Sequence, residues 1–284
     1  MNESSKINKR LIFVVPGVVI LWSLFLSHLA GPFYLSRIDP EYPYLLNGLN
    51  CSLLEFIRIG HVDHPGTPFQ VITGIFIQIT YWFVGQGSLV EDVISRPELY
   101  LNAASFFLSV LTAGVVLWLG KVALNSKINL AGVIVLQLSV FFTSVLVDIP
   151  SRYIPDRILA LYTLIFVGLC IKYFYRDNYS AMRFAVQAGI VMGIGFVTKF
   201  NFLPLLIVPL IVVGKMKERV VYIISLVVAS VISFLPVEIS FHILRVLLLG
   251  SLNMMVCTDR EPSKSSMPKN LLKTRSTFFR SIFP

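Results

Sequence analysis

Charge is scarce in this chain. Only 14% of its 284 residues are Asp, Glu, Lys or Arg, against roughly 25% in ordinary soluble proteins. Apolar residues make up 56%, and the mean hydropathy is +0.78. A soluble domain has too few charges here to cover so much apolar side chain, whereas helices facing lipid need no such cover. Cysteine is scarcer still. Cys51, Cys170 and Cys257 stand far apart, with neither a disulfide framework nor metal-ligand spacing. These shortages exclude most soluble enzyme folds, a disulfide-built secreted module and a disordered regulator. The net charge of +9 does not indicate nucleic acid, because the 24 basic residues sit in small clusters between apolar runs, as charges that orient membrane spans do.

What the chain has in abundance is long apolar runs. Leu11 to Ala30 follows Lys6, Lys9 and Arg10 and reads as an uncleaved first span with its N-terminus in the cytoplasm. A cleaved signal peptide fits less well, since His28 stands where a small residue is wanted. Further runs lie at 69–87, 102–120, 129–147, 158–175, 184–198, 201–214 and 219–240. The run at 69–87 decides the topology. At 100° per residue, Gln70, Thr73, Gly74, Gln78, Thr80 and Tyr81 fall in one arc of about 160°, opposite a mostly apolar arc, the pattern of an interfacial helix. Charge gives an independent test. With 69–87 lying flat, 11 of the 17 Lys/Arg in residues 1–240 are cytoplasmic and 6 external; with 69–87 spanning, the split is 7 and 10. The positive-inside tendency favours the flat arrangement.

The expected fold is therefore all-α: a polytopic transmembrane bundle of about seven or eight spans, with a long first external loop over 31–101 that contains amphipathic juxtamembrane helices. A second external loop covers 147–157. Residues 1–10 form the cytoplasmic N-terminus and 11–257 the membrane domain, with a marginal last crossing at 241–257. A basic tail over 258–284, rich in Ser and Pro, reads as disordered.

The external face gathers the candidate carboxylates and histidines, with a few basic residues. Asp39-Pro40-Glu41-Tyr42-Pro43 follows the first span, and its prolines stiffen a carboxylate that is either a base or metal ligand, or a solvated loop group. His61-Val62-Asp63-His64-Pro65-Gly66-Thr67-Pro68 is either a ligand cluster or a polar turn. In the second loop Arg152, Asp156 and Arg157 either serve a function or seal a helix end. Lys199 is external against the positive-inside trend; it either binds a lipid phosphate or snorkels. Asn178-Tyr179-Ser180 matches a glycosylation acceptor on the cytoplasmic side and is discounted.

In order and sidedness, these strings resemble the GT-C superfamily of integral membrane glycosyltransferases, which includes protein O-mannosyltransferases and the bacterial enzymes that transfer aminoarabinose to lipid A. The resemblance covers residues 11–214. Asp39-Pro40-Glu41-Tyr42 resembles the family's acidic motif and Asp63-His64-Pro65-Gly66-Thr67-Pro68 its turn. Tyr153-Ile154-Pro155-Asp156-Arg157 is similar to its second-loop element, and Gly193-Ile194-Gly195-Phe196-Val197-Thr198-Lys199-Phe200 to a later span. The resemblance implies transfer of a sugar from a polyprenyl-phosphate donor to a lipid, glycan or protein acceptor at the external face of a bacterial inner membrane. Asp39 would be the base, supported by Glu41. Asp156 would orient the sugar or a metal, and Asp63 lies in the turn whose His64 would position a substrate. Arg152, Arg157 or Lys199 would neutralise the phosphate. Some relatives use a divalent cation. The family usually carries further spans, so the expectation is of a C-terminally truncated chain; an inactive fragment, a lipid-linked-sugar flippase and a scaffold without chemistry are the competing readings.

Overall fold

A chain in lipid must satisfy its backbone internally, and helices do so within one segment. Every regular element among the described residues is helical. The computed structural model describes residues 10–35, 41–60, 66–142 and 152–235. Asp39, Asp63, His64, residues 1–9, the crossing expected at 241–257 and the tail at 258–284 all lie outside them.

In chain order the helices are α1 (Val14–Ala30), α2 (Glu41–Ser52), α3 (Thr67–Val84), α4 (Leu89–Ser95), α5 (Pro97–Asn125) and α6 (Leu130–Leu138). They continue with α7 (Pro155–Tyr175), α8 (Ala181–Thr198), α9 (Ile207–Val212) and α10 (Met216–Leu235). A 3-10 stretch at Ser139–Phe142 extends α6, and another at Phe200–Leu206 links α8 to α9. Local sequence sets the boundaries. Pro97 and Pro155 open α5 and α7, where a missing N–H is harmless. Ser88, Asn129 and Ser180 cap α4, α6 and α8 by accepting from Glu91, Gly132 and Arg183 N–H groups. The acceptor-like Asn178-Tyr179-Ser180 string thus has a structural use for its serine.

Helices α5, α7, α8 and α10 are long and apolar enough to cross a bilayer, at the positions expected for 102–120, 158–175, 184–198 and 219–240, and they mark a membrane protein. The runs at 11–30, 129–147 and 201–214 hold shorter apolar helices. α5 packs against α1, α3, α6 and α7, and α7 packs on α8. Small residues allow the closest approaches. A Cβ on Gly48 of α2 would stand 2.3 Å from Thr73 Cγ2 of α3, and one on Gly193 of α8 would stand 2.5 Å from the Leu226 carbonyl oxygen of α10.

The run at 69–87 forms α3, whose polar arc is largely turned inward: Gln70, Thr73, Gly74 and Thr80 are buried and Gln78 is exposed, whereas Ile75, Trp82, Phe83 and Val84 of the rest of the helix are exposed and Phe69 and Phe76 are buried. α3 and α4 are bent by 95° across the short break after Val84, so the pair is either a broken span or a re-entrant element.

Candidate functional site

The segment leading into α7 is held in place by Tyr153, which is fully buried. Its ring stacks on Phe69 of α3 at 4.8 Å between centroids, and Phe69 in turn meets Tyr44 of α2 edge-on at 5.3 Å. Thr73 donates its hydroxyl proton to its own helix at the Phe69 carbonyl, 2.7 Å away. Tyr153 is then the donor in the 2.7 Å contact with Thr73 Oγ1. Burial pushes the Tyr153 phenol well above its ordinary pKa.

From this anchor, three charged side chains leave in three directions. Arg152 pairs with the buried Glu41 at the first turn of α2. Asp156, in the first turn of α7, receives Lys199 Nζ at 2.8 and 3.0 Å on its two oxygens. Lys199 stands just past the C-terminus of α8, where its backbone N–H donates to the Gly195 carbonyl. Arg157 turns inward. Its guanidinium donates to Ser105 Oγ at 2.9 Å and Ser109 Oγ at 2.8 Å, both on α5, and to the Arg152 carbonyl at 2.9 Å. Adjacent helix positions are separated by 100°, which is why Asp156 and Arg157 cannot serve one ligand from one face.

Asp156 also lines an open groove of about 480 Å³ between α7 and the 3-10 turn after α8, walled by Leu159, Thr163, Val167, Phe202 and Leu205, with Asn201 at its side. An apolar trough with a few polar groups at one side suits an amphipathic ligand. The Asp156 and Lys199 side chains remain 27% and 15% exposed, so this pair is reachable from outside. Arg157, at 1% exposure, is not.

Comparison with protein-family models, curated proteins and solved structures finds no match.

No group of three or more His, Cys, Asp or Glu that would hold a metal occurs among the described residues. Glu41 and Asp156 each face a basic side chain, and Asp39, Asp63 and His64 lie outside the described residues.

Two features escaped the sequence. Glu98, at the start of α5, accepts from the backbone N–H groups of Phe33 and Tyr34 at 3.0 and 3.1 Å and from the Tyr42 hydroxyl at 2.6 Å. Burial, together with the Glu98 hydrogen bond and charge, pushes Tyr42 up to about 12. The serines of α5 that meet Arg157 were also missed, because Ser105 and Ser109 look like ordinary small residues of a span. Their four-residue spacing, which places both hydroxyls on one face, was the available signal.

Proposed function

We propose that this chain is a membrane glycosyltransferase that moves a sugar from a polyprenyl-phosphate donor to an acceptor at the external face, in a polytopic bundle whose N-terminus is cytoplasmic. The observation that carries this reading is the reachable Lys199–Asp156 pair beside an apolar groove. The groove suits the isoprenoid chain and the lysine suits its phosphate.

The acceptor hydroxyl attacks the anomeric carbon while the bond from that carbon to the phosphate oxygen breaks. The electron pair leaves with the lipid phosphate, whose growing charge Lys199 stabilises. The acceptor proton goes to a carboxylate base. Asp39 is the proposed base, because Glu41 is occupied by Arg152 and positions the element instead. Asp156 holds Lys199 until the phosphate arrives and is then free to hydrogen-bond a sugar hydroxyl. His64 and Asp63, shortly before α3 in sequence, are proposed to position donor or acceptor.

The test uses the full chain in lipid nanodiscs with a radiolabelled polyprenyl-phosphate sugar and a membrane lipid and glycan extract as acceptor. Transfer of label to acceptor is expected. Lys199→Gln should lower kcat/KM on the order of a hundredfold, the typical loss on removing one charge-stabilising donor, and Asp39→Asn should abolish transfer. Movement of intact donor across the bilayer without product would identify a flippase and overturn the proposal.

A further inference from the structure

Arg157 is among the largest fully buried side chains, yet all three of its hydrogen bonds go to neutral oxygens. No carboxylate among the described residues pairs with it, since Glu41 is taken by Arg152 and Asp156 by Lys199. A guanidinium near one end of a span, with no counter-charge among the described residues, costs several kcal/mol. The structure supplies a space where that charge can be met. Arg157 lines a small cavity of about 10 Å³, room for one water-sized sphere, together with Trp22, Ser23, Ser109, Thr112 and Val140.

Two of the polar groups on the side chains lining this cavity lack a partner. Arg157 Nε and Trp22 Nε1 are both buried and both without a hydrogen-bond partner. Each can only donate. The hydroxyl protons nearby are directed elsewhere: Thr112 donates to the Leu108 carbonyl and Ser109 to the Ser105 carbonyl, each at 2.8 Å. Ser109 Oγ also contacts Ser23 Oγ at 2.5 Å, and with its own proton used, Ser23 is the donor there. Two side chains with an orphaned N–H, one of them a cation that no carboxylate among the described residues compensates, therefore line one small space. We propose that this cavity is a binding site for a single halide-sized anion, chloride under ordinary conditions, which neutralises Arg157 and ties α1 to α7 through Trp22. A neutral water would satisfy the donors but leave the charge. A phosphate or carboxylate ligand is too large for the space. The site is separate from the groove at Asp156 and its test requires no transfer activity.

The full chain in detergent is unfolded thermally while chloride replaces gluconate at constant ionic strength. A saturable rise in Tm is expected for the unaltered protein and its loss in Arg157→Gln. Trp22→Phe keeps the ring and removes the N–H; it should raise the half-saturating chloride concentration about tenfold, as loss of one charge-assisted hydrogen bond does. Because Arg157→Gln removes a buried group and can fail to fold, crystals of the unaltered protein soaked in bromide give a second measurement. An anomalous peak within hydrogen-bond distance of Arg157 Nε supports the site. A Tm that does not respond to chloride, an equal response in Trp22→Phe, or saturating bromide without a peak overturns it.

Discussion

Glu41 and Arg152 are each mostly enclosed by neighbouring atoms and lie 111 positions apart in the chain. For such a pair, removing one partner is worse than removing both, because the survivor keeps its charge and loses its counter-charge. Arg152→Gln should therefore lower unfolding stability by about 3 kcal/mol, and the double variant with Glu41→Gln should recover part of that loss. A double-mutant cycle by denaturant unfolding in mixed micelles reads the coupling directly; additive losses would mean that the contact does not join the two loops energetically. The same residues show what one dimension conceals. Arg152, Asp156 and Arg157 are adjacent enough in sequence to suggest one charged cluster, and only the fixed extended segment at Tyr153 and Ile154 reveals that they serve three different neighbours.

Among elements, α2 and α3 form the most closely packed pair, and a Cβ on Gly48 would lie 2.3 Å from Thr73 Cγ2. Gly48→Ala should cost about 1–3 kcal/mol, the usual penalty for overpacking, measurable as a lower denaturant midpoint; an unchanged midpoint would show that the helices can separate freely. The positions of the helices were legible in the sequence. Apolar runs, N-caps at Ser88, Asn129 and Ser180, and prolines at 97 and 155 each mark a boundary through local chemistry. The facing of α3 was not legible. An amphipathic pattern reports that two faces differ but not which one meets solvent, and beside lipid the polar face turns inward to neighbouring helices. Gln70, Thr73 and Thr80 do so. Half of the candidate site was visible by the same logic: Lys199 and Asp156 stood out as charges at span ends, whereas Ser105, Ser109 and Trp22 acquire meaning only when Arg157 is seen to point at α5.

At the scale of the whole molecule, four long apolar helices and an exterior rich in exposed Leu, Ile, Val and Phe require a bilayer around them. The charge distribution predicts a sidedness that can be measured. A cysteine placed at Ser88, on the turn between α3 and α4, should react with a membrane-impermeant maleimide in intact cells, as an external position must. Reaction only after permeabilisation would reverse the sidedness of every later loop and separate Lys199 and Asp156 from the outer face.

The convergence on Glu98 carries a further consequence. Donors at Phe33 and Tyr34 and at Tyr42 meet on a single carboxylate, so the two ends of the short stretch between them are fastened at the same knot. Closing a loop is largely a matter of lost chain freedom, and here that closure is made by a side chain more than fifty residues downstream. The attachment of Phe33, Tyr34 and Tyr42 thus depends on the opening turn of α5. Loosening that turn would free both flanks at once without touching any residue near them in the sequence.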